Sequence, residues 1–510
     1  MNDDSTEAGN SLHRRDFIKV AGAGAGIILL GSPGQSTAET VAKESTRSAS
    51  VRTGASPDIV VVGAGIWGSF TAYHLRKSGA KVTLVDAYGP GNSRSTSGDE
   101  SRGVRSSYGD RTGTQGELWM LWARESMKRW LAFDDEWGRD LRLNLFHVTG
   151  DLILREDWDN FQLRCKLWWD RHKIPYGILN PEDVRRSFPV INVDDINAVL
   201  YEPDAGVVRA RRAVHAVAAA FEKLGGQIVI GRASPSKVAN GRLEEIRLDT
   251  GTTLRADTFV YAVGPWLGKV FPDLFAKKMR VPIGYVCYFA TPVGDYRFTY
   301  PNLPSYNFPG VTGWPALPVD NRGFRVRGAE RGPTPPQTVA SAGGKAGTGG
   351  ANAAQNPNAP AIDTGSNAAN ASGARQSGQP QQDVPPQQQD PDTSDRWANQ
   401  ERLEGSRRFV AHRFPLLKDA PIAQTHACHY EISSSGNFIV DRHPQMTNLW
   451  IAGGGNAEGF KFGPKMGDYV AQRVLGVWAD ASVDQQFKIP EKEFEPPKPA
   501  APADSTHHPS

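Results

Sequence analysis

An α/β fold is predicted by two features of the chain. A β-branched run, Ile59-Val60-Val61-Val62, leads directly into Gly63-Ala64-Gly65-Ile66-Trp67-Gly68, after which a helical segment and a second strand follow, ending in Asp86. Beyond it, helix and strand signals keep alternating: a helix over 210–223 precedes a strand over 227–230, and buried strands over 258–263 and 449–452 each end at glycine. The first feature is a Rossmann-type strand–turn–helix–strand. A lone G-x-G-x-x-G is a weak signal, but this one follows a strand and opens a helix over 66–78.

The chemistry of that unit is coherent. Gly63 makes the turn, Gly65 lets a pyrophosphate approach the backbone, and Gly68 lets helix and strand pack closely. The helix N-terminus beginning at Ile66 then faces the anion. Asp86, 18 residues after Gly68, can accept hydrogen bonds from ribose hydroxyls, and an acid there disfavours a 2′-phosphate. The ligand class is therefore FAD or NAD rather than NADP. Downstream, Trp119, Trp122 and Trp130 recur at helical spacing over 118–133 and read as a core or interdomain face.

A chain of 510 residues suits two or three domains. Its formal net charge of +3 supplies no field for nucleic acid or an anionic membrane, so neither is expected as a partner. Cys165, Cys287 and Cys428 lie too far apart to suggest a metal site or a disulfide framework. His13-Arg14-Arg15-Asp16-Phe17-Ile18-Lys19 precedes a short Gly/Ala-rich apolar run, which reads as a twin-arginine signal peptide over 1–38. That implies the twin-arginine export machinery as a partner and a periplasmic or extracellular location. The apolar run is too short for a membrane span, and none is expected in the mature chain. Residues 39–56 read as a linker. Residues 333–395 are almost entirely Ala, Gly, Gln, Asn, Pro, Ser and Asp, and are expected to be a disordered insertion; 490–510 are expected to be a disordered tail.

Five further stretches select among dinucleotide enzymes: Gly89-Pro90-Gly91-Asn92; Ser101 through Gly109, containing Arg102 and Arg105; Cys428-His429-Tyr430; Asn437-Phe438-Ile439-Val440-Asp441; and Gly459-Phe460-Lys461-Phe462-Gly463-Pro464. Together with the Rossmann unit, this ordered set resembles the D-amino acid oxidase superfamily, in its monomeric sarcosine oxidase and fructosyl amino acid oxidase branch. The resemblance covers most of 58–480 outside the insertion. It implies an α/β and α+β architecture: a discontinuous Rossmann-type FAD-binding domain over 57–110, 195–280 and 425–480, and a mixed-sheet substrate domain over 111–194, 281–332 and 396–424. The cofactor is then FAD.

Read physically, Lys461 lies between a strand end and a helix start, where with Arg105 it can clamp a substrate carboxylate. The resemblance assigns the same role to both residues. It also places Arg102, Gly264, Gly459 and Phe460 against the cofactor, makes Tyr430 an active-site tyrosine, and puts Cys428 where a thioether joins the chain to the flavin. Two positions depart from the family. Arg325 stands where a lysine promotes reaction of reduced flavin with oxygen, and Glu458 stands where a histidine is frequent, favouring a cationic amine over a second carboxylate. The expected reaction is hydride transfer from a carbon next to nitrogen in a small amine or amino acid to flavin N5. The imine then hydrolyses, and O2 reoxidises the cofactor. A dehydrogenase passing electrons to a quinone or other carrier, and a non-catalytic flavin-binding protein, remain open.

Overall fold

The computed structural model describes residues 56–111, 113–318, 322–329 and 389–495. The signal peptide, most of the linker, residues 333–388 and residues 496–510 lie outside the described residues.

The strand Asp58–Val62 has four consecutive buried residues, as expected of a β-branched run covered on both faces. It pairs in parallel with Lys81–Asp86 on one side and Thr258–Tyr261 on the other. Gln227–Ile230 and Met446–Gly453 extend the parallel sheet, and Ile439–His443 closes one edge antiparallel, giving six strands. The helix Ile66–Lys77 packs against the helix Gly463–Leu475 at close range: a Cβ on Gly467 would lie 2.3 Å from that of Phe70.

A second, mixed sheet has eight strands, in the order Ile422–His429, Ile283–Phe289, Phe324–Arg327, Val311–Trp314, Ser305–Phe308, Asp151–Arg155, Ala198–Glu202, Gly177–Leu179. Among the described residues, only its Ser305–Phe308 and Asp151–Arg155 pairing is parallel. A small antiparallel sheet pairs Gly206–Val208 with Arg102–Val104 and with Phe146–His147, and carries Arg102.

The structure revises the expected boundaries in four places. Ala198–Glu202, expected with the cofactor half, pairs antiparallel with Asp151–Arg155 and belongs to the mixed sheet. So do residues 425–429, which pair with Ile283–Phe289. The 29-residue helix Gly113–Leu141, expected with the substrate half, packs on the cofactor half. Its Trp119 stacks on Phe438 at 4.0 Å and its Trp130 meets Phe70 edge-on at 5.4 Å. Finally, 389–395 and 490–495 are held against the fold, with Pro391 and Pro490 buried and the other residues attached mainly by polar and backbone contacts. Lys269 pairs with Asp390 at 2.8 Å, and the Phe494 N–H donates to the Lys277 carbonyl at 2.9 Å. A survey of apolar anchors misses such attachments.

Candidate active site

A cleft of about 680 Å³ runs along the carboxyl ends of the parallel strands, where ligands of α/β sheets bind. Gly63, Gly65, Ile66, Asp86, Arg102, Gly264, Tyr430, Gly459 and Phe460 all line it. The glycines are demanded by geometry. Gly63 has φ +101°, and a Cβ there would lie 2.4 Å from the Ala262 carbonyl oxygen; one on Gly68 would lie 1.8 Å from that of Gly63. At Gly65 the only atom within 4 Å of a Cβ is Ser97 Oγ, at 3.4 Å, so the backbone is open to a ligand. The helix beyond it has no side-chain cap and no acid in its first turn, as suits a pyrophosphate. Ser97 Oγ accepts the Ile66 N–H at 3.1 Å, and Asp86 accepts the Ala64 N–H at 2.8 Å, so both brace the turn. Glu431, buried in the same wall, accepts the Gly455 N–H at 3.0 Å. The strand, turn and acid therefore fit FAD.

Past the glycine-rich end of Met446–Gly453, Asn456 and Ala457 both adopt the left-handed region, at φ +48° and +62°. Asn456 is buried and tied to the Asn437 carbonyl at 2.8 Å, which stabilises this costly conformation. The turn delivers Glu458 and Lys461 to one point. The Lys461 ammonium donates to Glu458 and, at 2.9 Å, to the Tyr108 hydroxyl. Burial pushes the Lys461 ammonium down to about 8 against the pull of Glu458. Burial opposes the Glu458 charge as well, but Lys461 and then Arg105 hold that carboxyl at about 2. Arg105 faces Glu458 and Asp151, and its Nε is buried without a partner among the described residues. Asp151 Oδ2 is also buried without one, and burial pushes that carboxyl up to about 7. Arg105 and Asp151 share a cavity of about 10 Å³, about the room one water needs.

Arg102 and Arg325 meet on one acid. Asp99 accepts from Arg102, from Arg325 at 3.1 Å and from the Tyr288 hydroxyl at 3.1 Å. Arg325 also lies over the Trp314 ring at 3.9 Å and is buried. Arg102 Nη2 lies 3.4 Å from Cys428 Sγ, so Cys428 stands beside a residue that lines the cleft. Cys165 and Cys287 are buried elsewhere.

The structure thus brings together Arg105, Glu458 and Lys461 in one cluster, and Arg102, Arg325 and Cys428 in another, while Tyr430 lies in the cleft wall. Sequence reasoning missed Asp99, Ser97, Tyr108, Glu431 and Asp151. Asp151 left a trace, since an acid opening the apolar strand Asp-Leu-Ile-Leu-Arg is anomalous. Tyr108 sits inside the stretch that holds Arg105. Nothing local marks Asp99 as the acid both arginines share.

Residues 58–473 match the DAO family model, described as FAD dependent oxidoreductase. Human peroxisomal sarcosine oxidase is 25% identical over 414 residues, covering 80% of this chain and 90% of that protein. Monomeric sarcosine oxidase of Bacillus sp. (strain B-0618) is 22% identical over 437 residues, covering 82% and 92%. Among solved structures, fructosamine oxidase (Amadoriase II) of Aspergillus fumigatus superposes with TM-score 0.63 at 20% identity, covering 85% of this chain and 89% of that one. That likeness is one of fold. With the match spanning most of the chain and the cleft shaped for the cofactor, the protein belongs to the DAO family of FAD-dependent oxidoreductases.

Proposed function

We propose that this enzyme oxidises the C–N bond of a small amine or N-substituted amino acid to an imine, which water then hydrolyses. The observation that carries the reading is the charge arrangement beside the cleft, where Arg105 has a buried donor, Nε, without a partner among the described residues, while Lys461 is matched to Glu458. The names of the related sarcosine oxidases support the same substrate class. FAD, when bound, supplies the two-electron acceptor for the C–H bond next to nitrogen. Glycines 63, 65 and 68, Asp86 and Arg102 would hold it. Arg105 receives a substrate carboxylate through charge-assisted hydrogen bonds, and Glu458 faces the amine end. An amine that arrives neutral needs no general base, and Lys461, pushed down to about 8, can carry a proton within the working pH range.

Oxygen is the acceptor in this reading. Two guanidiniums share the single Asp99 carboxylate, which leaves net positive charge near the cleft where charge develops on oxygen. A covalent link through Cys428 is part of the proposal. So is export by the twin-arginine route, which rests on residues outside those described; Arg14→Lys with Arg15→Lys should retain the protein in the cytoplasm, and normal export would refute this part. The direct test of function is anaerobic addition of an amine and amino-acid panel to the yellow protein. Bleaching of the flavin band by at least one member is expected, and a panel without effect would favour a flavin-binding protein without turnover.

A further inference from the structure

Four side chains that line the cofactor cleft converge on one acid from the inserted segment. Asp392 accepts from the Tyr88 hydroxyl at 3.1 Å, the Trp266 indole at 2.9 Å, the Lys269 ammonium at 2.6 Å and Arg232 at 3.2 Å. These four come from three separate stretches of chain. Tyr88 is itself tied to the ribose-site acid, its N–H donating to Asp86 at 2.8 Å. Burial alone would raise the Asp392 carboxyl, but Lys269, Trp266 and Arg232 hold it well below the usual carboxylate range.

The segment around Asp392 is anchored at both ends. Gln389 donates its N–H to the Val281 carbonyl at 3.0 Å. Asp390 pairs with Lys269 at 2.8 Å and accepts the Asp392 N–H at the same distance. Ser394 Oγ lies 2.6 Å from His429 Nε2, and His429 separates Cys428 from Tyr430. Residues 390–394 form a compact turn, the Ser394 N–H donating to the Asp390 carbonyl at 3.0 Å, which ties Lys269 and the rim side chains on one side to His429 on the other. Residues 389–395 read Gln-Asp-Pro-Asp-Thr-Ser-Asp; Pro391 is buried, and the rest are held by hydrogen bonds and charge.

Lysine, arginine and tyrosine side chains at an open rim lose conformational freedom when a ligand must order them. A single carboxylate that orders all four beforehand removes that cost from cofactor binding. We propose that residues 389–395 are a strap that ties the rim side chains of the FAD cleft together, with Asp392 as its positioning residue, so that this turn sets how fast the cofactor leaves. Lys269 and Arg232 are each substantially exposed, so the network is open to salt.

The test uses the full chain loaded with FAD, in the Cys428→Ser form so that a thioether cannot mask release. Recovery of flavin fluorescence on dilution reads the release rate. Asp390→Asn with Asp392→Asn should release FAD about tenfold faster, whereas Asp392→Glu should stay within about threefold of its parent. About 0.5 M NaCl should accelerate the parent and leave the double asparagine variant unchanged, a response that general loss of packing would not give. Circular dichroism and thermal midpoints of the apoproteins identify misfolding. If the double variant does not fold, Lys269→Met probes the same network from the other side, with faster release and lost salt response expected. Release within about twofold of the parent, or an undiminished salt response in the variants, would overturn the strap.

Discussion

Lys461 and Glu458, three residues apart, form an ion pair whose side chains are only 5% and 10% exposed. In the proposed function this pair sets which charge the site accepts. A lysine free to clamp a carboxylate alongside Arg105 is what the motif alone suggests. In the fold its charge is matched before any substrate arrives, and a buried pair broken on one side leaves a costly uncompensated charge.

Glu458→Gln should therefore reverse the charge preference. Simple carboxylates should bind about tenfold more tightly and cationic amines about tenfold more weakly. Ligand-induced changes in the flavin visible spectrum give both dissociation constants without turnover. If the two affinities move together, or neither moves, Glu458 does not govern substrate charge.

Asp151 makes a prediction about stability. Its carboxyl is raised from 3.8 to about 7 in the fold, so its favourable contribution is complete below pH 3.8 and is lost as pH rises towards 7. Asp151→Asn removes that dependence. Its stability relative to wild type should rise from about pH 4 to about pH 7 and then level off, by at most on the order of 4 kcal/mol. Denaturant unfolding at several pH values measures it, and a flat difference would mean that Asp151 ionises normally.

Arg325 should matter to the electron acceptor and not to the substrate. Arg325→Met should slow reoxidation of photoreduced enzyme by oxygen about tenfold, with anaerobic reduction little changed. Stopped-flow absorbance follows both halves. Unchanged reoxidation would shift the assignment to a dehydrogenase that uses a quinone or another carrier.

Cys428 should hold the flavin covalently. Acid precipitation of wild type should carry the yellow colour into the pellet, and Cys428→Ser should leave it in the supernatant. Flavin released from wild type would show that Arg102 and Cys428 only touch, at 3.4 Å, with no bond to the cofactor.

The cofactor half was legible because its determinants are local. Strand Asp58–Val62, strand Lys81–Asp86 and helix Ala210–Lys223 fall where periodicity and glycine chemistry place them. The contacts that define the site are not local. Asp99 joins Arg325 across 226 positions, and Lys461 reaches Tyr108 across 353. No window of sequence contains both ends of such a bond. The strap was hidden for another reason: its polar composition argues for disorder, while Asp390 and Asp392 find cations that only the fold brings near.

Arg105 is the proposed receiver of the carboxylate of an amino-acid substrate next to FAD. Anaerobic reduction of the flavin by an N-methyl amino acid, compared in wild type and Arg105→Met, tests it most directly. In Arg105→Met the ratio of reduction rate to dissociation constant should fall at least about a hundredfold for the amino acid and change little for the matching amine without a carboxylate. Equal reduction of both proteins by the amino acid would contradict it.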